Sequence, residues 1–166
     1  IGTSGNFPYL QKLEKPLADL RSMGCSFDLR ICSDSFDSHL FKRLGATFEK
    51  WSPQGELAFL QSLDIGLMPL EETDWCRGKC SFKMIQYMAV GCPTIASAVG
   101  MNEDVLDGDV GGRLVHNGDW VTPLVELTNS KEARREASVQ ARGRAVERYD
   151  IRVAIAKYKS ILDGLQ

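Results

Sequence analysis

Short apolar stretches alternate with amphipathic helical patterns five or six times along this chain. Strands are predicted at 1–4, 27–32, 46–49, 64–70, 93–96 and 112–115. Apolar residues at helical spacing predict helices at about 8–23, 36–44, 54–63, 83–90, 119–128, 131–147 and 151–164. Since neighbouring parallel strands need a crossover, this alternation predicts an α/β fold: a doubly wound parallel sheet with helices on both faces.

Three residues and one polar segment indicate where the predicted helices divide or end and where a loop lies. Pro16 lies inside the first helical pattern, so we expect a kink or a division of that helix. Gly24 and Gly45 are expected to end the first two helices. The polar, glycine-containing segment 71–81 is predicted to be a loop.

The size and composition of the chain limit the class of protein. Its 166 residues suit one domain, 1–166, and are too few for two. A formal net charge of −2 gives no basic field for nucleic acid, so no nucleic-acid partner is expected. No apolar run approaches the ~20 residues of a membrane span. The five cysteines match no disulfide framework, which favours a reducing, cytoplasmic compartment.

The chain opens at Ile1, almost in the middle of a strand pattern. We therefore expect it to be a piece of a longer protein.

Ligands of open parallel sheets bind beyond the carboxyl ends of the strands. In this chain that edge is predicted to be formed by the loops 4–8, 32–36, 50–54, 70–82 and 97–102.

The most informative of these loops leads into a helix through Gly78 and Lys79. Backbone N–H groups at a helix start suit a phosphate, and Lys79 and Lys83 add positive charge. Gln86 lies two turns inside the helix, where an amide can bond two neighbouring hydroxyls of a ribose. The alternative is a solvated loop followed by an ordinary core helix. The pattern is not a Walker loop, because G-x-x-x-x-G-K-[ST] is absent.

Residues 78–96 read Gly-Lys-x-x-x-Lys-x-x-x-Tyr-Met-Ala-x-Gly-x-Pro-x-Ile-Ala. This segment resembles the donor-site motif of group 1 glycosyltransferases with the GT-B architecture. Segments 64–70, 98–103 and 107–115 resemble the family in the same order, and 64–115 is the specific part.

The resemblance implies a carboxy-terminal, Rossmann-like domain that binds a nucleotide-diphospho-sugar. An amino-terminal acceptor domain would be absent from this chain, and the full-length enzyme would transfer the sugar to a glycan, lipid or small acceptor. The donor is a substrate, and no metal or other cofactor is implied. We expect the isolated domain to be inactive in transfer.

Roles in donor binding are predicted for nine residues. They are Lys79, Lys83, Gly5 and Asn6 for the diphosphate, Gln86 for the ribose, Gly78 and Ser81 for the sugar pocket, and Trp51 and Pro53 for the base. Glycine at the 4–6 turn would let the backbone approach a diphosphate, although an ordinary strand-to-helix turn is the alternative. Trp51 would stack on the base, or else pack against the next helix.

The chain departs from the family at its charged positions. Many members carry two glutamates eight positions apart, where Gly78 and Gln86 stand here. Many also carry an Arg and a Lys after the first strand, where Ser4, Gly5 and Asn6 stand. The catalytic residues are therefore left unassigned.

Other readings of the sequence stay open. The domain could be a catalytically silent module that binds nucleotide or protein, or more weakly a flavodoxin-like receiver. The acidic loop 71–75 is expected to be solvated or to pair with Arg77 and Lys79, rather than to hold a metal. A solvated, salt-bridged face is expected for the arginines of the late helices. The alternative for that face is a contact with the missing domain or with an anionic membrane, which would place the full-length protein at the inner face of that membrane.

Overall fold

The computed structural model describes residues 1–164. In this part of the chain five strands are formed: β1 (Leu29–Ser33), β2 (Ala46–Lys50), β3 (Gly66–Met68), β4 (Thr94–Ser97) and β5 (Gly112–Val115). The helices are α1 (Phe7–Leu10), α2 (Glu14–Ser22), α3 (Ser38–Leu44), α4 (Glu56–Gln61), α5 (Asp74–Arg77), α6 (Phe82–Ala89), α7 (Met101–Val105), α8 (Val121–Asn129), α9 (Lys131–Tyr149) and α10 (Ile151–Asp163). None of these helices is long and apolar enough to span a membrane.

All strand pairs are parallel, which confirms the predicted fold class. β1 pairs with β2, and β3, β4 and β5 form a second sheet in that order. Gly66 lies opposite Thr94, and Thr94 lies opposite Gly112. Where one continuous sheet was expected, the strands are thus divided into two sheets between β1 and β3.

The segment at the start of the chain accounts for this division. Residues 1–4 were predicted to end a strand, but Ile1–Thr3 form no regular strand and Ser4–Asn6 form a 3-10 turn. A single backbone bond, from the Gly2 N–H to the Cys32 carbonyl at 3.1 Å, ties the segment to β1.

The first predicted helix is divided, as Pro16 indicated. Gln11–Leu13 are in 3-10 conformation between α1 and α2, and Pro16 lies in the first turn of α2. Proline has no N–H to bond the carbonyl four residues earlier, so a continuous α-helix loses a bond there. Leu13, Leu17 and Leu20 nevertheless keep one face, and each is 1 % exposed.

The segment 71–81, predicted as a loop, contains the short helix α5. The Thr73 side chain accepts a hydrogen bond from the Cys76 N–H at 3.2 Å and so caps the start of α5. Cys76 is fully buried, and it anchors a segment that its polar composition had predicted to be irregular.

The predicted salt-bridged face of the late helices is largely wrong. Arg134, Arg142 and Arg144 donate to backbone carbonyls at the ends of α8, α6 and α7, respectively. Arg148 does the same to the Asp104 carbonyl at 3.3 Å. The last carbonyls of a helix lack partners within it and carry partial negative charge, so guanidinium groups stabilise them.

Candidate functional site

The candidate site lies at the carboxyl ends of the parallel strands, beside a cavity of about 900 Å³. Five of the nine predicted site residues line this cavity: Asn6, Gly78, Lys79, Ser81 and Lys83. The other four, Gly5, Trp51, Pro53 and Gln86, lie outside its lining. The fold thus brings a majority of the predicted residues to one opening, from segments far apart in sequence.

Lys79 and the Ser4–Asn6 turn meet directly. The Lys79 ammonium donates to the Asn6 side-chain oxygen at 2.9 Å and lies 4.4 Å from the centre of the Tyr9 ring. An ammonium has three donors, and among residues 1–164 Asn6 is its one hydrogen-bond acceptor. Two donors of Lys79 therefore stay available to an anion at this opening.

The Asp34 carboxylate stabilises the same Ser4–Asn6 turn through hydrogen bonds. Asp34, just after β1, accepts from the Ser4 N–H at 2.7 Å and from the Ser33 hydroxyl at 2.9 Å. The bond from the Ser4 N–H, followed by the Ser33 bond, lowers the pKa of Asp34 below its ordinary value. Asp34 is thus ionised at neutral pH and uses the first N–H of the turn. The Asn6 N–H donates to the Thr3 carbonyl at 3.0 Å, so the Gly5 N–H is the backbone donor of the turn that faces no acceptor among residues 1–164.

A second polar cluster joins α4 to α6. One oxygen of Glu56 accepts from the Lys83 ammonium at 3.0 Å and from the Gln86 amide at 3.0 Å. Lys83 also donates to the Gln86 side-chain oxygen at 2.8 Å. The three side chains form a closed triangle, so Lys83 and Gln86 are held in place by Glu56.

The charge of this cluster is set by the ion pair. The hydrogen bond from Lys83 is the main cause that lowers the pKa of Glu56, and bonds from Gln86 and Trp51 lower it further. Glu56 is therefore a carboxylate at neutral pH. Trp51, which is predicted to contact the base, and Gln86, which is predicted to bind the ribose, thus both lower the pKa of the same carboxyl group.

Trp51 and Pro53 lie in the turn between β2 and α4. The Trp51 N–H donates to the Ser33 carbonyl at 2.9 Å, and its side chain is 38 % exposed. Pro53 is exposed in the same turn, which Ser52 closes with a bond from the Gly55 N–H at 3.1 Å. Both side chains are accessible to a flat ligand, and their contact with a base stays a prediction.

Ser81 lines the cavity but is 1 % exposed, and its side chain is bonded within the protein. Its hydroxyl donates to the Asn102 oxygen at 2.7 Å, and the Asn102 amide donates to the Ser97 carbonyl at 2.9 Å. The Ser97 hydroxyl bonds both the N–H and the carbonyl of Leu70. This buried chain ties the loop that follows β3 and the start of α6 to the end of β4 and to α7, so any role of Ser81 in the sugar pocket would depend on its backbone.

The start of α6 has the backbone geometry of an anion site. Ser81, its N-cap, is left-handed at φ 53°, and no side chain caps the helix. A left-handed non-glycine residue costs of order 1–3 kcal/mol and persists where the surroundings impose it. The first N–H groups of α6 lack helical partners and carry partial positive charge. Lys83 lies in this first turn, and Lys79 lies in the loop just before it.

The acidic loop pairs with cations. Glu72 pairs with Arg77, as expected, whereas Glu71 pairs with Lys12 at 3.6 Å and Lys79 turns to Asn6 instead. Within residues 1–164 there is no group of three or more metal-ligating side chains.

Sequence reasoning missed four residues that shape the site: Tyr9, Asp34, Glu56 and Asn102. Glu56 gave one usable signal, since it is an acidic residue in the first turn of a helix that follows a predicted ligand loop. Tyr9 contacts Lys79, and Asn102 bonds Ser81 and Ser97. These contacts join segments that are distant in sequence, so no local sequence pattern predicts them.

The fold and the site together define a class: a Rossmann-like α/β domain with cations and free N–H groups at the carboxyl edge of its sheet. A family model described as "Glycosyl transferases group 1" matches residues 27–129, more than half of the chain. The chain belongs to this family. No curated protein gives a significant match to its sequence.

Solved structures of similar fold include two proteins that were crystallised with UDP. A variant of S. aureus TarM, in complex with Fondaparinux, alpha-GlcNAc-glycerol and UDP, matches with a TM-score of 0.71 at 15 % identity. That match covers 91 % of this chain and 32 % of TarM. Anabaena HepE, in complex with UDP and glucose, matches with a TM-score of 0.67 at 16 % identity, over 98 % of this chain and 47 % of HepE. The chain thus spans about a third to a half of the length of the structures it matches.

Proposed function

We propose that this chain is the donor-binding domain of a glycosyltransferase that takes a nucleotide-diphospho-sugar. The observation that carries the proposal is the meeting of Lys79, the Ser4–Asn6 turn and the uncapped start of α6. An ammonium and unpartnered N–H groups at one opening provide what a diphosphate needs. The UDP in the matched TarM and HepE structures makes uracil the first base to test.

The ribose would bind on the other side of the α6 N-terminus, at the triangle of Glu56, Lys83 and Gln86. Gln86 replaces a carboxylate that many family members carry, and an amide accepts fewer hydrogen bonds than a carboxylate does. Glu56 brings a carboxylate to the same place from α4. We infer that Glu56 and Gln86 bind the ribose hydroxyls together, with Trp51 against the base and Lys83 near the diphosphate.

In the transfer step, the anomeric carbon forms a bond to the acceptor and its bond to the nucleoside diphosphate breaks, so negative charge grows on the leaving nucleoside diphosphate. Lys79 and the N–H groups of α6 would stabilise that charge, which lowers the barrier most if they are fixed before the reaction. The acceptor, and the group that takes its proton, would come from an amino-terminal domain of the longer protein. The activity would therefore need the full-length chain.

The location of the longer protein is part of the same proposal. Five cysteines without a disulfide favour the cytoplasm. Exposed apolar residues on α10, among them Ile151, Tyr158 and Leu162, give a surface for the amino-terminal domain, with the inner face of a membrane as the alternative. Fractionation of the full-length protein between soluble and membrane material would separate the two.

The second candidate is a silent module that binds nucleotide without transfer. It is favoured by one observation: Lys83 and Gln86 already satisfy each other and Glu56 within the protein. An enzyme would have to open this triangle when the donor binds.

The test uses the full-length protein with a panel of nucleoside diphosphates and their sugars. Calorimetry measures binding, and release of the nucleoside diphosphate from the sugar measures turnover. We expect binding of one base, together with slow hydrolysis or transfer of one of its sugars. Binding without turnover of any donor sugar would favour the silent module. No binding of any nucleotide at millimolar concentration would overturn both.

A further inference from the structure

The candidate donor site packs against a neighbouring segment that contains none of the predicted site residues. This supporting segment, residues 97–102, runs from the last residue of β4 into the first turn of α7. Beside it lies the donor segment, residues 70–81, which leads to the start of α6. Four contacts join the two segments in the same order along both chains: Ser97 with Leu70, Val99 with Cys76, Gly100 with Arg77, and Asn102 with Ser81. The donor segment is therefore held at both of its ends by one neighbour.

The contacts that precede Gly78 depend on shape. Val99 is buried in one apolar cluster with Leu70 and Cys76. At Gly100, an added Cβ would lie 2.6 Å from the Arg77 carbonyl oxygen, so the two backbones touch. The contact at the far end of the donor segment is of another kind, because it depends on hydrogen bonds of a side chain.

Asn102 provides these bonds through both polar atoms of its amide. Its oxygen accepts from the Ser81 hydroxyl at 2.7 Å, and its nitrogen donates to the Ser97 carbonyl at 2.9 Å. An amide offers an acceptor and a donor on neighbouring atoms, whereas a carboxylate lacks the donor and an apolar side chain lacks both. Asn102 is fully buried, so water does not replace either partner.

Ser81 has a backbone conformation that serine does not favour. Its φ of 53° is left-handed, and such a residue persists only where the surrounding structure imposes it. Among residues 1–164, Asn102 is the one hydrogen-bond partner of the Ser81 hydroxyl. The Ser81 carbonyl in turn accepts from the Ile85 N–H at 3.1 Å, in the first turn of α6. The position in which Asn102 holds Ser81 therefore decides where α6 begins.

We propose that Asn102 is a positioning residue of the donor site. Through Ser81 it holds the first turn of α6, and with it the N–H groups of residues 82–84 and the Lys83 side chain, in the orientation that the diphosphate needs. This role rests on the proposed function, since it assigns the diphosphate to these groups. Asn102 itself lies outside the lining of the cavity, so it acts through Ser81 and does not touch the donor. Donors that are fixed before the reaction stabilise growing charge most effectively.

Amide hydrogen exchange of the full-length protein tests the positioning without a ligand, so its outcome is separate from that of the proposed function. The Ile85 amide reports on the start of α6, and the Leu106 amide, which bonds the Asn102 carbonyl at 3.0 Å, reports on α7. Asn102→Ala should raise the Ile85 exchange rate relative to the Leu106 rate by about tenfold or more. Ser81→Ala removes the same bond with the loss of one oxygen, and it should raise this ratio in the same direction even if Asn102→Ala does not fold.

Ser97→Ala is the matched control for the exchange measurement. It removes two buried bonds to Leu70 at the other end of the donor segment and keeps the Ser97 carbonyl that Asn102 bonds. The ratio of the Ile85 and Leu106 rates should therefore stay within about threefold of the wild type. A ratio that rises equally in the Ser97 and Asn102 variants, or in neither, would overturn the proposal.

Calorimetric titration with nucleoside diphosphates tests the link to the donor. Asn102→Ala should weaken binding by roughly tenfold in the full-length protein, but by less than about threefold when Ser81→Gly is also present, because glycine adopts a left-handed conformation without support. Equal losses in the two backgrounds would overturn the action through Ser81, and no loss in either would overturn the role in the donor site. Absence of nucleotide binding by the wild type would overturn the proposed function and this link together, whereas the exchange ratio decides by itself whether Asn102 holds the start of α6.

Discussion

The ammonium group of Lys79 lies 2.9 Å from the side-chain oxygen of Asn6, although 73 positions separate the two residues in sequence. This contact joins the turn before α1 to the loop before α6, and it fixes a cation at the edge of the sheet. Ligand binding can therefore be tested through Lys79 alone.

Lys79→Ala should weaken binding of the nucleoside diphosphate by roughly ten- to a hundredfold, since a hydrogen bond to a charged group contributes about 1.5–3 kcal/mol. Calorimetric titration of the full-length protein measures the change. Lys15→Ala is the control, because Lys15 pairs with Asp19 on the exposed side of α2. Equal affinity of the Lys79 variant and the wild type would remove Lys79 from the diphosphate site.

Glu56→Gln should reduce the preference of the protein for a ligand that carries the ribose hydroxyls. The wild type should bind the 2′,3′-dideoxy form of its nucleotide roughly tenfold more weakly than the ribose form, because hydrogen bonds to a carboxylate are lost. In the variant, the ratio of the affinities for the ribose and dideoxy forms should fall towards one. The comparison is a double-mutant cycle in which the ligand provides one of the two changes. Glu49→Gln, which removes the charge that pairs with Arg30, is the matched control. An unchanged ratio in the Glu56 variant would rule out its contact with the ribose.

Much of the fold was predictable because the controlling patterns are local. Alternation of strand and helix spacing is a property of consecutive residues, and Pro16 divides its helix through a missing N–H of its own. The division into two sheets was not predictable in this way, because it depends on whether three residues, Ile1–Thr3, make a ladder or one bond.

The site residues that belong to a sequence motif could be predicted, whereas those that are brought to the site by tertiary contacts could not. Lys79 and Gln86 follow from a loop and helix that lie within ten residues of each other. The pairing of Gln86 with Glu56 spans 30 positions, and the sequence has no mark for it. The arginines of α9 were misassigned for a related reason: their acceptors are backbone carbonyls, which every residue carries.

Gly78 and Gly100 should respond differently to alanine. At Gly100 φ is +56° and an added Cβ would lie 2.6 Å from the Arg77 carbonyl oxygen, so Gly100→Ala should destabilise the domain by more than ~2 kcal/mol. At Gly78 the nearest atom, the Trp75 carbonyl oxygen, would be 3.6 Å away, so the stability change should stay within about 0.5 kcal/mol.

Denaturant unfolding measures both glycine variants, and titration then separates their functions. Gly78→Ala should weaken binding of the nucleotide sugar more than binding of the nucleoside diphosphate, because Gly78 is assigned to the sugar pocket. Equal losses for both ligands would contradict that assignment.

Arg144→Ala should cost about 1–3 kcal/mol of unfolding free energy. Its side chain is 13 % exposed, and its guanidinium donates to the carbonyls of Val105 and Asp107, which are left without this donor in the variant. Arg135→Ala is the control on the same helix, since Arg135 is 77 % exposed and only approaches Glu132 at 3.8 Å. Its cost should stay within about 0.5 kcal/mol. Urea unfolding of both variants provides the measurement, and equal costs would show that the carbonyl contacts of Arg144 contribute nothing.

The 166-residue chain should become more stable as the pH rises from about 6 to 8. Burial lowers the pKa of the Ile1 ammonium from 8.0 to about 6. Between these values the unfolded chain binds more protons than the folded one, so stability increases with pH by roughly 2–3 kcal/mol in total. Below pH 6 the group is charged in both states, and the full cost of burying it is present. The measurement is urea unfolding at several pH values, with the amino-terminally acetylated chain as control, because it lacks the titrating group. Parallel pH profiles of the two chains would mean that the Ile1 ammonium is solvated rather than packed beside Tyr87.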